Sequence, residues 1–399
     1  MNTKLRYSQA VARLSGESSS VWSLHERARE KLAAGEDIIL LSVGDPNLAT
    51  LDSTIQHVVE ALQQGRTHYS PGAGELSLRQ TIAAIEARSA NRPCSPNEIL
   101  IFPGATHAIY SVMCCLLDPG DEVVIPEPMY IGYRGIFDII GAKVVTVPLQ
   151  VDAGFRLDID RVKQAINSKT RVLFLNTPGN PAGNIIPGES LQELAAYCLE
   201  RNIWIVCDEV YSMITFEQRH VSLRRAAAEL ANVITIDGLS KSHAMTGWRL
   251  GWTVAAEPIT QKLLAFTSAV IFGCCQFVQD AARYALTNDE DYMAGIRDEY
   301  RKRRDYVCQR VMAIPGLHCQ PPQAGMFVMV NVTQIATDGF AFADRLLASQ
   351  GVSVLPGAGF GESTRGFVRL SLTLGVDELA PAMDRIEAFV LAGMTNPAN

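Results

Sequence analysis

The chain has 399 residues, 48% hydrophobic and 19% charged, a balance that excludes long-range disorder and a length that implies two or three domains rather than one core. Its net charge of −7 argues against a protein that coats nucleic acid or anionic membrane. Nine cysteines, an odd number with the adjacent pairs Cys114-Cys115 and Cys274-Cys275 and no CxxC or HExxH, argue against a disulfide framework, a thiolate zinc site or a zincin site. No metal is expected, and free thiols fit a reducing cytoplasm.

The first twenty residues lack an apolar core of the signal-peptide kind. The most apolar stretch, Ala108 to Leu117, is about half the ~20 residues a membrane span needs. An amphipathic helix is predicted near Val21–Ala34, then a strand Ile38–Val43 running into Gly44-Asp45-Pro46. From about residue 52 to 290, helical patterns alternate with short β-branched runs. These are Glu98–Phe102, Glu122–Ile125, Lys143–Val147, Val172–Leu175, Trp204–Cys207, Val233–Ile236 and Leu250–Val254. Several are continuously apolar, as strands are when helices cover both faces of a mostly parallel sheet. Turn signals such as Asp118-Pro119-Gly120-Asp121 punctuate them.

After residue 290 the pattern changes. A helix over Tyr292–Ala313 carries Arg301-Lys302-Arg303-Arg304, read as a solvated face with salt-bridge partners. Strands at Met326–Val332, Val352–Leu355 and Phe367–Leu370, with helices at Phe340–Ser349 and Val376–Leu391, suggest a smaller α+β domain. The chain therefore divides into an N-terminal arm (1–50) packing on the small domain, a large α/β domain (51–290) and a small C-terminal domain (291–399).

The segment Gly238-Leu239-Ser240-Lys241-Ser242-His243-Ala244-Met245-Thr246-Gly247-Trp248-Arg249 follows the strand Val233–Ile236, so Lys241 lies just beyond a strand's carboxyl end, where open α/β sheets place ligands. A flexible amine near a guanidinium suits an enzyme that bonds a phosphorylated aldehyde. This segment resembles the lysine motif of the class I and II pyridoxal-phosphate aminotransferases, enzymes of fold type I. The resemblance runs from Gly44 to Arg369. It implies a homodimeric enzyme that moves an α-amino group to a 2-oxo acid.

Carried onto matching positions, the resemblance makes Lys241 the cofactor's lysine and proton carrier, and Asp208 the partner of the pyridine nitrogen. Alone, an aspartate after a strand would be a helix N-cap. Tyr211 and Asn180 would hydrogen-bond the phenolic oxygen. Asn180 stands in Asn180-Pro181-Ala182-Gly183, where the family usually has threonine before the glycine. Ala105 and Thr106, after Gly104 at a helix start, would bind the phosphate with Arg249. Tyr130 would stack on the ring, and Tyr69 would reach the phosphate of the neighbouring subunit. Gly238 replaces a common serine, and Ser240 is a possible substitute donor. Arg369, inside the apolar run Phe367-Val368-Arg369-Leu370, needs an anionic partner in any case, and the resemblance gives it the substrate α-carboxylate, with Gly44 and Asn180 beside it.

Trp22 reads first as a core tryptophan and second as a wall of the side-chain pocket, while His107 and His243 read as packing residues. The texture of SVGDPN, HAMTGWR and GMFVMV is similar to the arginine–pyruvate transaminases, pointing to arginine or another basic amino acid as donor and pyruvate as acceptor. The rival readings are a β-lyase or decarboxylase on the same cofactor and a cofactor-sensing regulator. The regulator lacks the spare length and basic stretch of a DNA-binding domain.

Overall fold

The computed structural model describes residues 5–14, 18–288 and 290–395. The elements begin with α1 (Gln9–Arg13), α2 (Ser18–Ala33), β1 (Ile39–Leu40), α3 (Asp52–Gln63) and α4 (Leu76–Ala90). The α/β region then runs β2 (Ile99–Phe102), α5 (Ala105–Leu116), β3 (Glu122–Glu127), α6 (Ile131–Ile140), β4 (Lys143–Pro148), α7 (Ile159–Ala165), β5 (Thr170–Asn176), α8 (Gly188–Glu200), β6 (Trp204–Asp208), α9 (Leu223–Ala226), β7 (Val233–Gly238), α10 (Leu239–Ser242) and β8 (Gly251–Ala255). The remainder is α11 (Glu257–Val270), α12 (Gln276–Asn288), α13 (Glu290–Ala313), β9 (His318–Cys319), β10 (Phe327–Asn331), α14 (Gly339–Gln350), β11 (Val352–Ser353), β12 (Leu355–Pro356), β13 (Phe367–Ser371) and α15 (Val376–Thr395).

The seven-stranded sheet has the order β2-β8-β7-β6-β5-β3-β4. All neighbours are parallel except β8, which is antiparallel to both β2 and β7. The apolar runs explain this arrangement. β2 is buried along its whole length and β6 and β7 nearly so, because one core packs on each face: Leu173, Leu191 and Leu194 on one, Val112, Phe137 and Phe174 on the other. The predicted α/β class and its mostly parallel sheet are both observed.

Four antiparallel strands, β12-β13-β10-β9, form a second sheet, and β1 pairs in parallel with β11. Leu24, Ala28 and Leu41 of the N-terminal segment share one core with Phe342, Leu346 and Met383. The strand foreseen at 38–43 is paired over two residues only, because the Leu41 carbonyl turns to the Ser371 amide at the end of β13 and the next two carbonyls accept from the Arg369 and Thr373 side chains. The 352–355 run is split into β11 and β12, which pair with different partners. Strand β9, two residues long, is too short to leave a periodic trace.

One expectation holds for only half of its residues. Lys302 is exposed and Arg301 partly so, as on a solvated face, but Arg303 and Arg304 are 2% and 6% exposed. Arg304 bonds Glu217 and the Pro322 carbonyl, and Arg303 bonds Glu299, Asn47 and the Leu372 carbonyl. Periodicity put these arginines on the polar side of an amphipathic pattern, but partners from distant segments cover that side. Among the described residues no helix is long and apolar enough to cross a membrane.

Candidate active site

The carboxyl ends of neighbouring strands deliver the polar groups. β6 ends on Asp208, and β7 leads directly into α10, which carries Lys241. β2 leads through Gly104 into α5, so Ala105 and Thr106 open that helix. Gly104 sits at φ +93°, and a Cβ there would collide with the Arg249 guanidinium. Its absence lets Arg249 lie against the start of α5, where the first amides have no acceptor within the helix. Arg249 itself adopts the left-handed backbone at φ +53°, an uncommon conformation for a side-chain-bearing residue, and donates from Nη1 to the Thr246 carbonyl at 2.8 Å. Strand β13 brings Arg369 in from the second sheet.

These groups line one cavity of about 280 Å³, together with Gly44, Tyr130, Asn180, Tyr211, Ser240 and Trp22. Tyr69 alone of the predicted residues lies elsewhere, 80% exposed, its ring edge-on to Phe272 at 4.9 Å.

Asp208 is buried and receives hydrogen bonds from the Tyr133 hydroxyl (2.6 Å to Oδ2) and the Val210 amide (3.2 Å to Oδ1). Burial raises its pKa to about 6, against which both hydrogen bonds act. Lys241 donates from Nζ to the Gly44 carbonyl at 2.7 Å. Burial lowers its pKa to about 8; the Arg369 and Arg249 cations push the same way, while Asp45 and Asp208 oppose. An amine so poised is partly neutral near physiological pH, as a nucleophile toward an aldehyde must be. Burial also pushes the Tyr211 hydroxyl far up, and Asn180 donates from Nδ2 to it at 3.3 Å.

Arg369 is 3% exposed, with its guanidinium 3.9 Å from the Phe327 ring centroid and 4.8 Å from that of Phe360. Nη1 donates to Asn180 Oδ1 (3.0 Å) and Nη2 to the Ser42 carbonyl (2.8 Å), both neutral acceptors. Nε is buried with no protein partner. Burial lowers its pKa to about 10, still charged at neutral pH. A buried cation without a counter-ion in a cavity wall suits an anion.

A family model for the class I and II aminotransferases matches residues 36–386. The chain belongs to the class I and II aminotransferases. It is 40% identical over 382 residues to an arginine–pyruvate transaminase of Pseudomonas aeruginosa, covering 96% of this chain and 97% of that one. It is 34% identical over 361 residues to a probable N-acetyl-LL-diaminopimelate aminotransferase of Bacillus subtilis, covering 90% and 91%. Among solved structures it is similar to the aspartate aminotransferase of Thermus thermophilus with maleate, with TM-score 0.91, 30% identity, and 97% and 100% coverage. This aminotransferase, like its family, depends on pyridoxal phosphate.

The residues present fit that cofactor. Its aldehyde would meet the Lys241 amine and its pyridine nitrogen the Asp208 carboxylate. Tyr211 and Asn180 would serve its phenolic oxygen, and Arg249 at the start of α5 its phosphate. Gly238, where relatives of this kind often have serine, has a local explanation: a Cβ there would stand 2.9 Å from the Leu250 carbonyl. Ser240 lines the cavity near the same end.

Four participants escaped sequence reading. Tyr133 follows Tyr130 by one helical turn, and that i, i+3 spacing was the available signal. Ser42 acts through its carbonyl, which no side chain announces. Phe327 and Phe360 are apolar residues in apolar company. His243 is buried, bonded to Ser242 Oγ at 2.8 Å and held by burial near a pKa of about 4; His107 bonds Ser111 Oγ at 3.2 Å. Both are engaged in local packing.

Proposed function

We propose that this aminotransferase takes the α-amino group from an L-amino acid, arginine or another basic amino acid first, and gives it to a 2-oxo acid such as pyruvate. The observation that carries the substrate side is Arg369: a buried cation, hydrogen-bonded only to neutral oxygens, in the wall of the same cavity as Lys241. When bound, the cofactor supplies an aldehyde for the amino group and a ring that accepts electrons from Cα.

The chain's own residues do the rest. Lys241 Nζ holds the cofactor and then carries a proton from Cα. Asp208 keeps the pyridine nitrogen protonated, with Tyr133 holding its carboxylate in place. Tyr211 and Asn180 fix the phenolic oxygen. Ala105, Thr106 and Arg249 hold the phosphate, and Tyr130 covers the ring. Arg369, with Asn180 and Gly44 beside it, orients the substrate through its α-carboxylate.

The choice of a basic donor is supported by the similarity to the Pseudomonas transaminase and by the cavity wall. Trp22 adds an aromatic ring, the kind of surface on which a guanidinium stacks. A homodimer is the proposed assembly, with the partner's copy of Tyr69 completing the phosphate site. The exposed Tyr69–Phe272 pair, with Val270 nearby in sequence, gives an apolar surface for it. The division into arm 1–50, large domain 51–290 and small domain 291–399, and a cytoplasmic setting for nine free cysteines, complete the reading.

Half-reaction spectra test the donor. Arginine should deplete the absorbance band of the bound cofactor, and pyruvate should restore it. A donor panel in which basic amino acids leave the band unchanged while apolar ones deplete it removes the basic-donor reading.

A further inference from the structure

The basic run of α13 contains a buried cation that the reaction described so far does not use. Arg303 Nε bonds Glu299 at 2.8 Å, and Nη1 donates to two acceptors from distant segments, Asn47 Oδ1 (2.9 Å) and the Leu372 carbonyl (3.0 Å). Burying a guanidinium is unfavourable unless its donors are satisfied. Here the donors reach the two chain segments that build the carboxylate site.

The first is the strap from Leu41 to Asn47, which is tied residue by residue. The Leu41 carbonyl accepts from the Ser371 amide (2.8 Å), Ser42 from Arg369 Nη2 (2.8 Å), Val43 from Thr373 Oγ1 (3.2 Å) and Gly44 from Lys241 Nζ (2.7 Å). Asp45 Oδ1 accepts from Thr246 Oγ1 (2.7 Å), and Asn47 closes the series on Arg303. The strap thus joins the strand bearing Arg369 to α10, which bears Lys241, and to Thr246 in the turn after it. The second segment, ending in the Leu372 carbonyl, continues directly from that strand. One nitrogen of Arg303 therefore holds the free end of the strap in register with the end of β13.

We propose that Arg303 is a positioning residue for substrate binding. By anchoring Asn47, it fixes the strap so that the Ser42 carbonyl holds the Arg369 fork and Gly44 stands beside the carboxylate. It touches neither substrate nor cofactor. Arginine is required because its planar fork serves Glu299 on one edge and the two carbonyl-type oxygens on another, which a point-charge ammonium does not reproduce. The inference rests on the reading of Arg369 as the carboxylate receptor.

The test is a double-mutant cycle on the holoenzyme with Arg303→Met and Asn47→Ala. Asn47 is exposed, so its truncation leaves the core intact. Binding of hydrocinnamate and guanidinovalerate, carboxylates without an α-amino group, is measured by calorimetry alongside KM and kcat for the donor. Each single variant should weaken carboxylate binding and raise KM by about tenfold, the scale of one hydrogen bond to a charged group. The kcat and the cofactor's absorbance band should stay as in the unaltered enzyme. In the Arg303→Met background, Asn47→Ala should add little further, and Arg303→Lys should recover part of the loss. Unaltered carboxylate binding in Asn47→Ala, or fully additive losses, would overturn the proposal. Arg369→Lys separates the two readings. If it leaves carboxylate binding unaltered, the Arg369 assignment fails; if it abolishes binding while Asn47→Ala does not weaken it, only the role of Arg303 fails.

Discussion

The two ends of the cavity are built in different ways. The cofactor end is a product of one sheet: Asp208 and Lys241 sit on or just past adjacent parallel strands, paired through Asp208↔Ile236, and Arg249 lies in the turn that leads into β8. The substrate end is assembled from three separate stretches. Arg369 comes from the second sheet, Ser42 and Gly44 from the strap, and Asn180 from the loop after β5. The cofactor grip is therefore set largely by backbone hydrogen bonds within a single sheet. The carboxylate grip depends on side chains holding distant segments together. Damage at the two ends should read out differently.

The largest expected effect is at the junction. Lys241→Ala should lower turnover by about 10⁴-fold or more, since the proposed proton carrier and covalent holder would be lost together. Steady-state rates check this, and near-normal turnover would remove Lys241 from the chemistry.

Next come the two buried charges, each expected to cost about 10²–10³-fold in kcat/KM. The comparison predicts a split. Arg369→Met should act on KM and substrate binding, whereas Asp208→Asn should act on cofactor retention and kcat. Equilibrium dialysis of the cofactor and initial rates separate these.

The pH dependence of cofactor uptake sharpens the description of the first end. The neutral amine is the form that attacks an aldehyde, and the folded-state pKa of Lys241 is lowered to about 8. Uptake by the apoprotein should therefore rise about tenfold per pH unit below 8 and level off above it, instead of rising toward the ~10.4 of an ordinary lysine. Stopped-flow absorbance measures the midpoint.

Smaller effects probe the supports. Tyr133→Phe removes one hydrogen bond to Asp208 and should weaken cofactor binding by about tenfold without changing substrate KM. Gly132→Ala places a Cβ 2.5 Å from the Tyr130 ring, so that ring must move. A change of a few-fold in cofactor affinity is expected, read by fluorescence titration.

The same contrast explains what the sequence made legible. The strands of the large sheet stand out because both faces are buried, and the residues at their ends carry strong motifs. The supports do not. Ser42 works through a backbone carbonyl, and Phe327 and Phe360 stack on Arg369 from positions that read as ordinary core. Arg303 looked solvated because its partners, Asn47 and Leu372, are remote in sequence and only folding brings them over the helix. Tyr69, recognisable by its motif, lies outside the cavity of a single chain, where its proposed role needs a second copy.

The most direct test of the account is the cofactor dissociation constant of the Arg369→Met variant, measured by absorbance titration of the apoprotein. If the two grips are built independently, it stays within about twofold of the unaltered protein while carboxylate binding is lost. A tenfold or greater weakening of cofactor binding would contradict that separation.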